Sequence, residues 1–402
     1  MTRLIFLGCI AYLIVGLGQL VVGSIMEPMV HAYGIDYSDG GQLVMNQFLG
    51  GLFGIVCAPW CIQRFGKKFV LLLALGLMAA AEFLYTLLPP WGIMLTIAPI
   101  AGIGIGMTET VVGSFIIGAS GERANTAMSR VETFFGVGAL LIPFAGAALI
   151  QSGYWKLSFG IVGLLSTATL ILWALCWPGI LDSPALAQMK ETPDKRSADH
   201  PPKQRTFMIL AACALFFAIY VGLEMSYIHY LPSVLVLGNG LSDSTAALTL
   251  SIFWGAMVIG RMVSGQIADR VGGSVYLFAA CLTAGVLFML MTLMTGTAPT
   301  LVLTFLAGLS MSGMFAIALV FANRAAPGMT ERTTSLLMAF GGIGGALLPK
   351  GTGWLLDQQG PEAVRWFFAA TALVLLLVMM WASASVRRST KAVKVIEVGI
   401  GQ

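Results

Sequence analysis

The chain has 402 residues, of which 58% are hydrophobic and only 10% charged, and its mean hydropathy is +0.89. A soluble domain carries about 25% charged residues, so this composition excludes a water-facing surface over most of the molecule and places the chain in lipid. The net charge of +4 comes from basic residues scattered along short loops rather than gathered into a patch, which argues against nucleic-acid binding.

Backbone groups in lipid have to be bonded within a helix or a closed barrel. The apolar runs here are too long and continuous for barrel strands and suit helices of roughly 20 residues. Charge, proline and glycine divide the chain into twelve runs: 4–30, 41–63, 68–88, 91–118, 125–150, 155–180, 206–236, 243–267, 273–295, 298–323, 331–356 and 362–386. The first is too long for a signal-peptide core and lacks a small-residue cleavage site, so it reads as a spanning helix. It carries Gln19 and Glu27, and the second run carries Asn46 and Gln47, amides suited to lining a cavity or tying helices together. The second run closes on Gln63-Arg64-Phe65-Gly66, followed by Lys67 and Lys68.

Glu82 falls in the third run, Glu109 near the centre of the fourth in GMTETVVGSF, and Glu132 near one end of the fifth, beside Arg130. After the sixth run comes the one long polar stretch, Asp182 to Arg205, whose prolines and alternating charges suit a solvated linker. The seventh run places Glu224 between Tyr220 and Tyr227, at spacings that put the three on one helix face. His229 follows and reads as a packing residue, while His31 and His200 are expected in loops. The eighth run carries Arg261 and closes on Asp269-Arg270-Val271-Gly272; the eleventh contains Pro349 and then Lys350. The six cysteines lie inside apolar runs or at their ends. Cys57 and Cys61 share a helix face without a histidine, so no metal site is expected and small apolar filler is the simpler role.

Cytoplasmic loops carry the excess of Lys and Arg. With both termini in the cytoplasm, all but three of the 22 basic residues (Lys156, Lys350 and Arg365) lie in or beside cytoplasmic segments. A repeat supports an even division. Residues 63–66 and 269–272 are 206 positions apart, as are Gly54 and Gly260, and so are Phe134, Gly136, Gly138 and Pro143 with Phe340, Gly342, Gly344 and Pro349. The expected architecture is an all-α membrane protein with twelve transmembrane helices in two six-helix pseudo-symmetric halves. Its divisions are 1–181, a cytoplasmic linker 182–205, a second half 206–388 and a cytoplasmic tail 389–402. Repeats of this kind place a substrate site at their interface near the bilayer midplane.

Carboxyl groups at bilayer depth are costly and point to function. An apolar surrounding disfavours the charged form, which lets such a group load and release protons as a cavity changes sides. Glu109 and Glu224, and next Glu132, are therefore the candidates for proton coupling. Tyr220, Tyr227, Gln19, Asn46, Gln47 and Lys350 are candidates for substrate contact, since tyrosine rings and hydroxyls suit a polyhydroxylated ligand. Helix-packing hydrogen bonds or an acid paired with Lys350 or Arg130 would explain the same acids without transport. Glu27 and Glu82, in the outer parts of their runs, are able to reach an interface.

The segments GLFGIVCAPWCIQRFGKK and GAMVIGRMVSGQIADRVGG resemble the loop signature of the major facilitator superfamily. On that pattern Arg64, Gly66, Lys67, Lys68, Arg261, Asp269 and Arg270 would form a cytoplasmic gate, with Gln63 departing from the expected acid. Along most of its length, and most strongly in GMTETVVGSFIIG, MSRVETFFGVGALLIP, YVGLEMSYIHYLPSVL, SIFWGAMVIGR and FLAGLSMSGMFAIAL, the chain resembles the bacterial glucose/mannose:proton symporters of the fucose–galactose–hexose branch. The resemblance implies proton-driven import of a hexose-type sugar across the bacterial inner membrane, with an acid of the fourth helix, Glu109, in the coupling machinery. Lys350 departs from it, as a fixed cation suits an anionic substrate or a carboxylate partner. Proton-coupled efflux of a drug or metabolite is the alternative. No clustered nucleophile and base points to an enzyme. No cofactor is expected; the partners are a small-molecule substrate, protons and the lipid bilayer, and a monomer suffices because one chain carries both halves.

Overall fold

The structure is a computed structural model that describes residues 2–120, 124–182, 204–325 and 330–400. The first half contains α1 (Thr2–Ser24), α2 (Met26–Tyr33), α3 (Tyr37–Phe65), α4 (Lys67–Thr86), α5 (Trp91–Ser120), α6 (Ala124–Gln151) and α7 (Leu157–Leu175). The second contains α8 (Gln204–Asn239), α9 (Asp243–Val271), α10 (Gly273–Leu293), α11 (Thr297–Met311), α12 (Met314–Ala325) and the stretch Thr330–Ile400. That last stretch is two helices, α13 (330–359) and α14 (361–400), broken at Gly360, whose φ of 79° and ψ of −174° only glycine adopts readily. Among the described residues eleven continuous stretches are long and apolar enough to cross a membrane; the break at Gly360 divides one of them, giving twelve spans.

Two expected runs are subdivided. The first breaks at Ile25, whose φ of −125° and ψ of 21° are not helical, so α2 continues at a new angle. The tenth breaks at Ser312-Gly313, where a side chain on Gly313 would collide with the Tyr276 hydroxyl and with Ser264. His31 lies in α2 and is exposed, rather than in a loop. His200 and nearly all of the linker lie outside the described residues, and α14 runs on as helix into the segment expected as a tail.

The offset seen in the sequence is also an offset in the backbone. Helix starts at 37, 67, 91 and 124 recur at 243, 273, 297 and 330, each 206 positions on. Gly34 and Gly240 share a left-handed φ (60° and 67°), and Gly66 and Gly272 a second one (85° and 89°). Helix crossings repeat as well. A Cβ on Gly102 would strike the Gln47 carbonyl oxygen, and one on Gly308 would lie 2.5 Å from that of Phe253, the residue 206 positions after Gln47. Gly138 abuts the Leu13 carbonyl as Gly344 abuts that of Ala218. Small residues at such points let backbones touch, and dispersion contacts replace the hydrophobic drive that lipid does not supply.

The halves meet firmly at the end carrying α2 and the start of α3, here the latched end. The first amides of α3 have no acceptor within their own helix. The Tyr37 N–H donates to Asp357 Oδ1 (2.9 Å) and the Ser38 N–H to Asp357 Oδ2 (2.6 Å), so an acid of α13 caps a helix of the other half. Lys350 Nζ donates to the Ser38 carbonyl oxygen (2.8 Å) and to Ser38 Oγ (3.0 Å), and the Tyr230 hydroxyl donates to the Tyr37 carbonyl oxygen (2.8 Å). Deeper in the same seam His229, 1% exposed, packs against Gly23 of α1.

Two predictions follow from this packing. Gly308→Leu should lower the melting temperature of the purified protein, because overpacking of this kind costs about 1–3 kcal/mol. Gly285→Leu, at a glycine with nothing within 4 Å, should not; equal melting temperatures would contradict the packing argument. Asp357→Ala removes two charge-assisted hydrogen bonds, each worth about 1.5–3 kcal/mol. It should open the latched end, so that a cysteine replacing His229 in a cysteine-free background is alkylated about tenfold faster or more. Unchanged alkylation would show that Asp357 is no latch.

Candidate functional site

A cavity of about 870 Å³ lies between the halves. Its floor is made by Gln19 of α1 with Gln47 and Phe48 of α3, on the side toward the latch. Its mouth is framed by Ser114 and Ile117 of α5, Met128 of α6 and Ser335 of α13, and Ile117 is 53% exposed. These residues lie at the end that carries the α3–α4 and α9–α10 turns, the open end.

The two walls differ in chemistry. Nearly all the strongly polar groups come from the first half: Glu109, Thr110 and Ser114 from α5, Glu132 from α6, Tyr12 and Gln19 from α1, and Gln47 from α3. The second half contributes Val221, Phe315, Met338, Gly341 and Gly342, with Thr334 and Ser335 as its hydroxyls. Glu109, Thr110, Gly113 and Ser114 share one stripe of α5 because residues one helical turn apart superpose. Tyr12 fixes that stripe, its hydroxyl donating to the Glu109 carbonyl oxygen (3.1 Å). Gln47 Nε2 donates to the Gly18 carbonyl oxygen (3.1 Å), which locks the floor amide in place.

Of the residues expected to carry transport, the cavity brings together Glu109, Glu132, Gln19 and Gln47. Glu132 is within electrostatic range of Glu109 and of Arg261 across the interface. Arg261 lies over the Trp254 ring (5.7 Å), and Trp254 in turn packs on Phe135 of the first half. Among the described residues neither Glu109 nor Glu132 has a cation within 4.0 Å.

The other candidates lie elsewhere. Glu224, 5% exposed, is inside the second half, near the Tyr220 hydroxyl and within electrostatic range of Arg261. Tyr220 donates to the Met311 carbonyl oxygen (3.3 Å), and Tyr227 shares a hydrogen bond with Thr304 Oγ1 (2.7 Å) amid Phe253, Phe288 and Phe368. Neither tyrosine lines the cavity: both hydroxyls find partners within their own half, and it is Val221 of α8 that reaches the cavity wall. Asn46 accepts from Gln42 Nε2 (2.8 Å) and donates to the Leu95 carbonyl oxygen (3.0 Å), joining α3 to α5 rather than facing the cavity. Lys350 sits in the latch, not in the cavity. Glu27 and Glu82 are buried, at 2% and 1% exposure, and away from it.

Of the expected gate residues, Arg261 is the one that reaches across the interface, toward Glu132; the others do not bridge the halves. Lys67 Nζ donates to the Leu181 carbonyl oxygen (3.1 Å) and Lys68 lies over the Trp177 ring (5.8 Å), both in the first half. Arg64, Gly66, Asp269 and Arg270 are exposed. Sequence reasoning missed Tyr12, Thr110, Ser114 and Ser335 in the cavity and Asp357 in the latch. The hydroxyls on the Glu109 stripe offered a signal, since their spacing from Glu109 is helical. Asp357 offered none without its partner's position.

Residues 8–349 match the Major Facilitator Superfamily. The glucose/mannose transporter GlcP of Bacillus subtilis is 29% identical over 364 residues, which cover 90% of each chain. A putative glucose/galactose transporter of Helicobacter pylori is 26% identical over 77% of this chain and 66% of its own. Among solved structures, the inward open xylose transporter XylE from E. coli superposes with a TM-score of 0.76 at 14% identity, over 94% of this chain and 95% of that one. The nucleoside transporter NupG gives 0.74 at 14% identity, over 95% and 99%; at such identities the likeness concerns the fold. Profile, helix arrangement and interfacial cavity agree that this chain belongs to the Major Facilitator Superfamily, as a multi-pass membrane transport protein and not an enzyme.

Proposed function

We propose that the protein is a proton-coupled importer of a hexose-type sugar, working by alternating access in a bacterial inner membrane with both termini in the cytoplasm. The observation that carries this reading is the acid Glu109 on a wall of amides and hydroxyls in a cavity open at one end only. Relatives named as glucose/mannose and glucose/galactose transporters support the substrate class. The distribution of basic residues supports the orientation, in which the open end faces the cytoplasm and the latch faces outward. The residue divisions proposed are 1–181 and 206–388 for the moving halves, joined by 182–205, and one chain acts as a monomer.

In this reading the floor amides of Gln19 and Gln47 and the hydroxyls of Thr110 and Ser114 bond sugar hydroxyls, while Phe48 and Phe315 cover the apolar faces of the ring. A volume of about 870 Å³ is within the roughly 300–1,000 Å³ of small-molecule sites and leaves room for water beside a monosaccharide. Glu109 takes up the coupled proton from the outward side and releases it to the cytoplasm. Glu132 and Glu224, one in each half, are both within electrostatic range of Arg261 and act as its charge partners. The gate residues of the α3–α4 and α9–α10 turns then meet when the open end closes.

Uptake of labelled glucose and mannose by proteoliposomes tests the reading. An inward proton gradient should drive accumulation, and an uncoupler should abolish it. Folded protein that takes up neither sugar but extrudes lipophilic cations would establish efflux instead. Glu109→Gln should abolish gradient-driven accumulation, spare equilibrium exchange and remove the pH dependence of that exchange. Glu224→Gln, outside the cavity, should slow uptake but keep it coupled; the reverse pattern would transfer the coupling role to Glu224.

A further inference from the structure

On the outward face of the latch, three metal-binding side chains converge from both halves. Glu27 and His31 stand one turn apart on α2, so their side chains share a face, and Asp243 is the first residue of α9. One donor atom from each lies within 4.8 Å of the other two, and His31 Nε2 is 3.8 Å from Glu27 Oε2. This is the group of that kind among the described residues. It differs from a surface cluster of acids in two respects. One donor is an imidazole, and Glu27 is a carboxylate only 2% exposed, whose oxygen Oε1 makes no direct hydrogen bond and has the Ser233 hydroxyl near the carboxyl group. The other oxygen, Oε2, accepts from the Tyr37 hydroxyl (2.8 Å), which holds the carboxylate in position as outer partners do for metal ligands.

We infer that Glu27, His31 and Asp243 form a binding site for a divalent transition ion of the zinc type, and that the ion locks the two halves together at the latched end. One imidazole and two carboxylates suit zinc, whose nitrogen and oxygen ligands lie at about 2.0–2.2 Å and whose open sites carry three protein ligands and a water. Calcium prefers six to eight oxygens and magnesium an octahedral shell, and this set supplies too few oxygens for either. Drawing the donors onto one ion needs a short approach, which His31 supplies, since its side chain is 63% exposed and free to turn. That exposure also gives the ion a route from solvent. Because Glu27 and His31 belong to one half and Asp243 to the other, the full ligand set exists only while the latch is closed. An ion bound there selects the state whose cavity opens at the other end. The inference rests on the latch geometry and not on the identity of the transported substrate.

The test uses the purified, tag-free full-length protein, freed of metal with a chelator and titrated with Zn²⁺ by calorimetry. One ion per chain should bind, and His31→Ala and Asp243→Asn should each weaken binding about tenfold or more. Both variants should keep the metal-free melting temperature of the parent. Zn²⁺ should also slow alkylation of a cysteine replacing His229 in the cysteine-free background, and should fail to do so when His31→Ala is added. Absence of binding, affinity unchanged in either variant, or binding that disappears on replacing Cys57 and Cys61 instead would overturn the assignment. A protein that transports no sugar but binds Zn²⁺ in this way would leave the site intact and remove only the proposed substrate.

Discussion

The arrangement depends most on two amide groups at the start of α3. A helix that begins inside a membrane protein brings orphan N–H groups with it, and burying them unpaired would be costly. Here Tyr37 and Ser38 give theirs to Asp357, in the other half of the molecule. A requirement of local backbone chemistry is thereby met by a contact between domains. While that contact stands, the halves are hinged together at one end, and a cavity between them has only the other end through which to open. Lys350 reinforces the joint by holding the Ser38 carbonyl from the same helix that carries Asp357.

Most of the fold was legible because the signals that specify it are periodic or additive. Apolar length gives the spans, and the charge distribution gives an expectation for their direction. The recurrence of glycines 206 positions apart has a physical origin visible in the structure. Gly102 and Gly308 mark the same helix crossing in each half, as do Gly138 and Gly344. A pattern read as sequence similarity is thus a record of where backbones touch. The break at Ile25 has a sign in the sequence, Pro28, which lacks the N–H that would bond the Ser24 carbonyl and whose ring crowds that carbonyl. The break at Ser312-Gly313 was not legible: it involves no proline and reflects the nearness of Tyr276 and Ser264, which lie far away in the chain.

The site was legible in part, for a reason seen in α5 and α8. On α5 one face borders the cavity, so Glu109 and the polar residues one turn away fall there together. On α8 the residues Tyr220, Glu224 and Tyr227 are buried inside the second half while Val221 borders the cavity, and helical spacing says that the three are neighbours without saying what they neighbour. Their partners are Met311, Arg261 and Thr304, all supplied by other helices. Lys350 illustrates the same limit. A cation inside an apolar run invites a reading in terms of substrate charge, yet its acceptor is a backbone carbonyl more than 300 positions away.

The uneven walls of the cavity have an electrical consequence. The acids that face the cavity come from the first half, and among the described residues Glu109 has no cation within 4.0 Å. If that carboxylate were ionised when the cavity exchanged sides, a net charge would move through part of the membrane potential, at up to about 2.3 kcal/mol per 100 mV. When the carboxyl is neutral, the same movement feels no such force. Voltage would therefore act on this carrier through the ionisation of one side chain, holding back the ionised carrier on one side of the cycle while leaving the neutral one free to return.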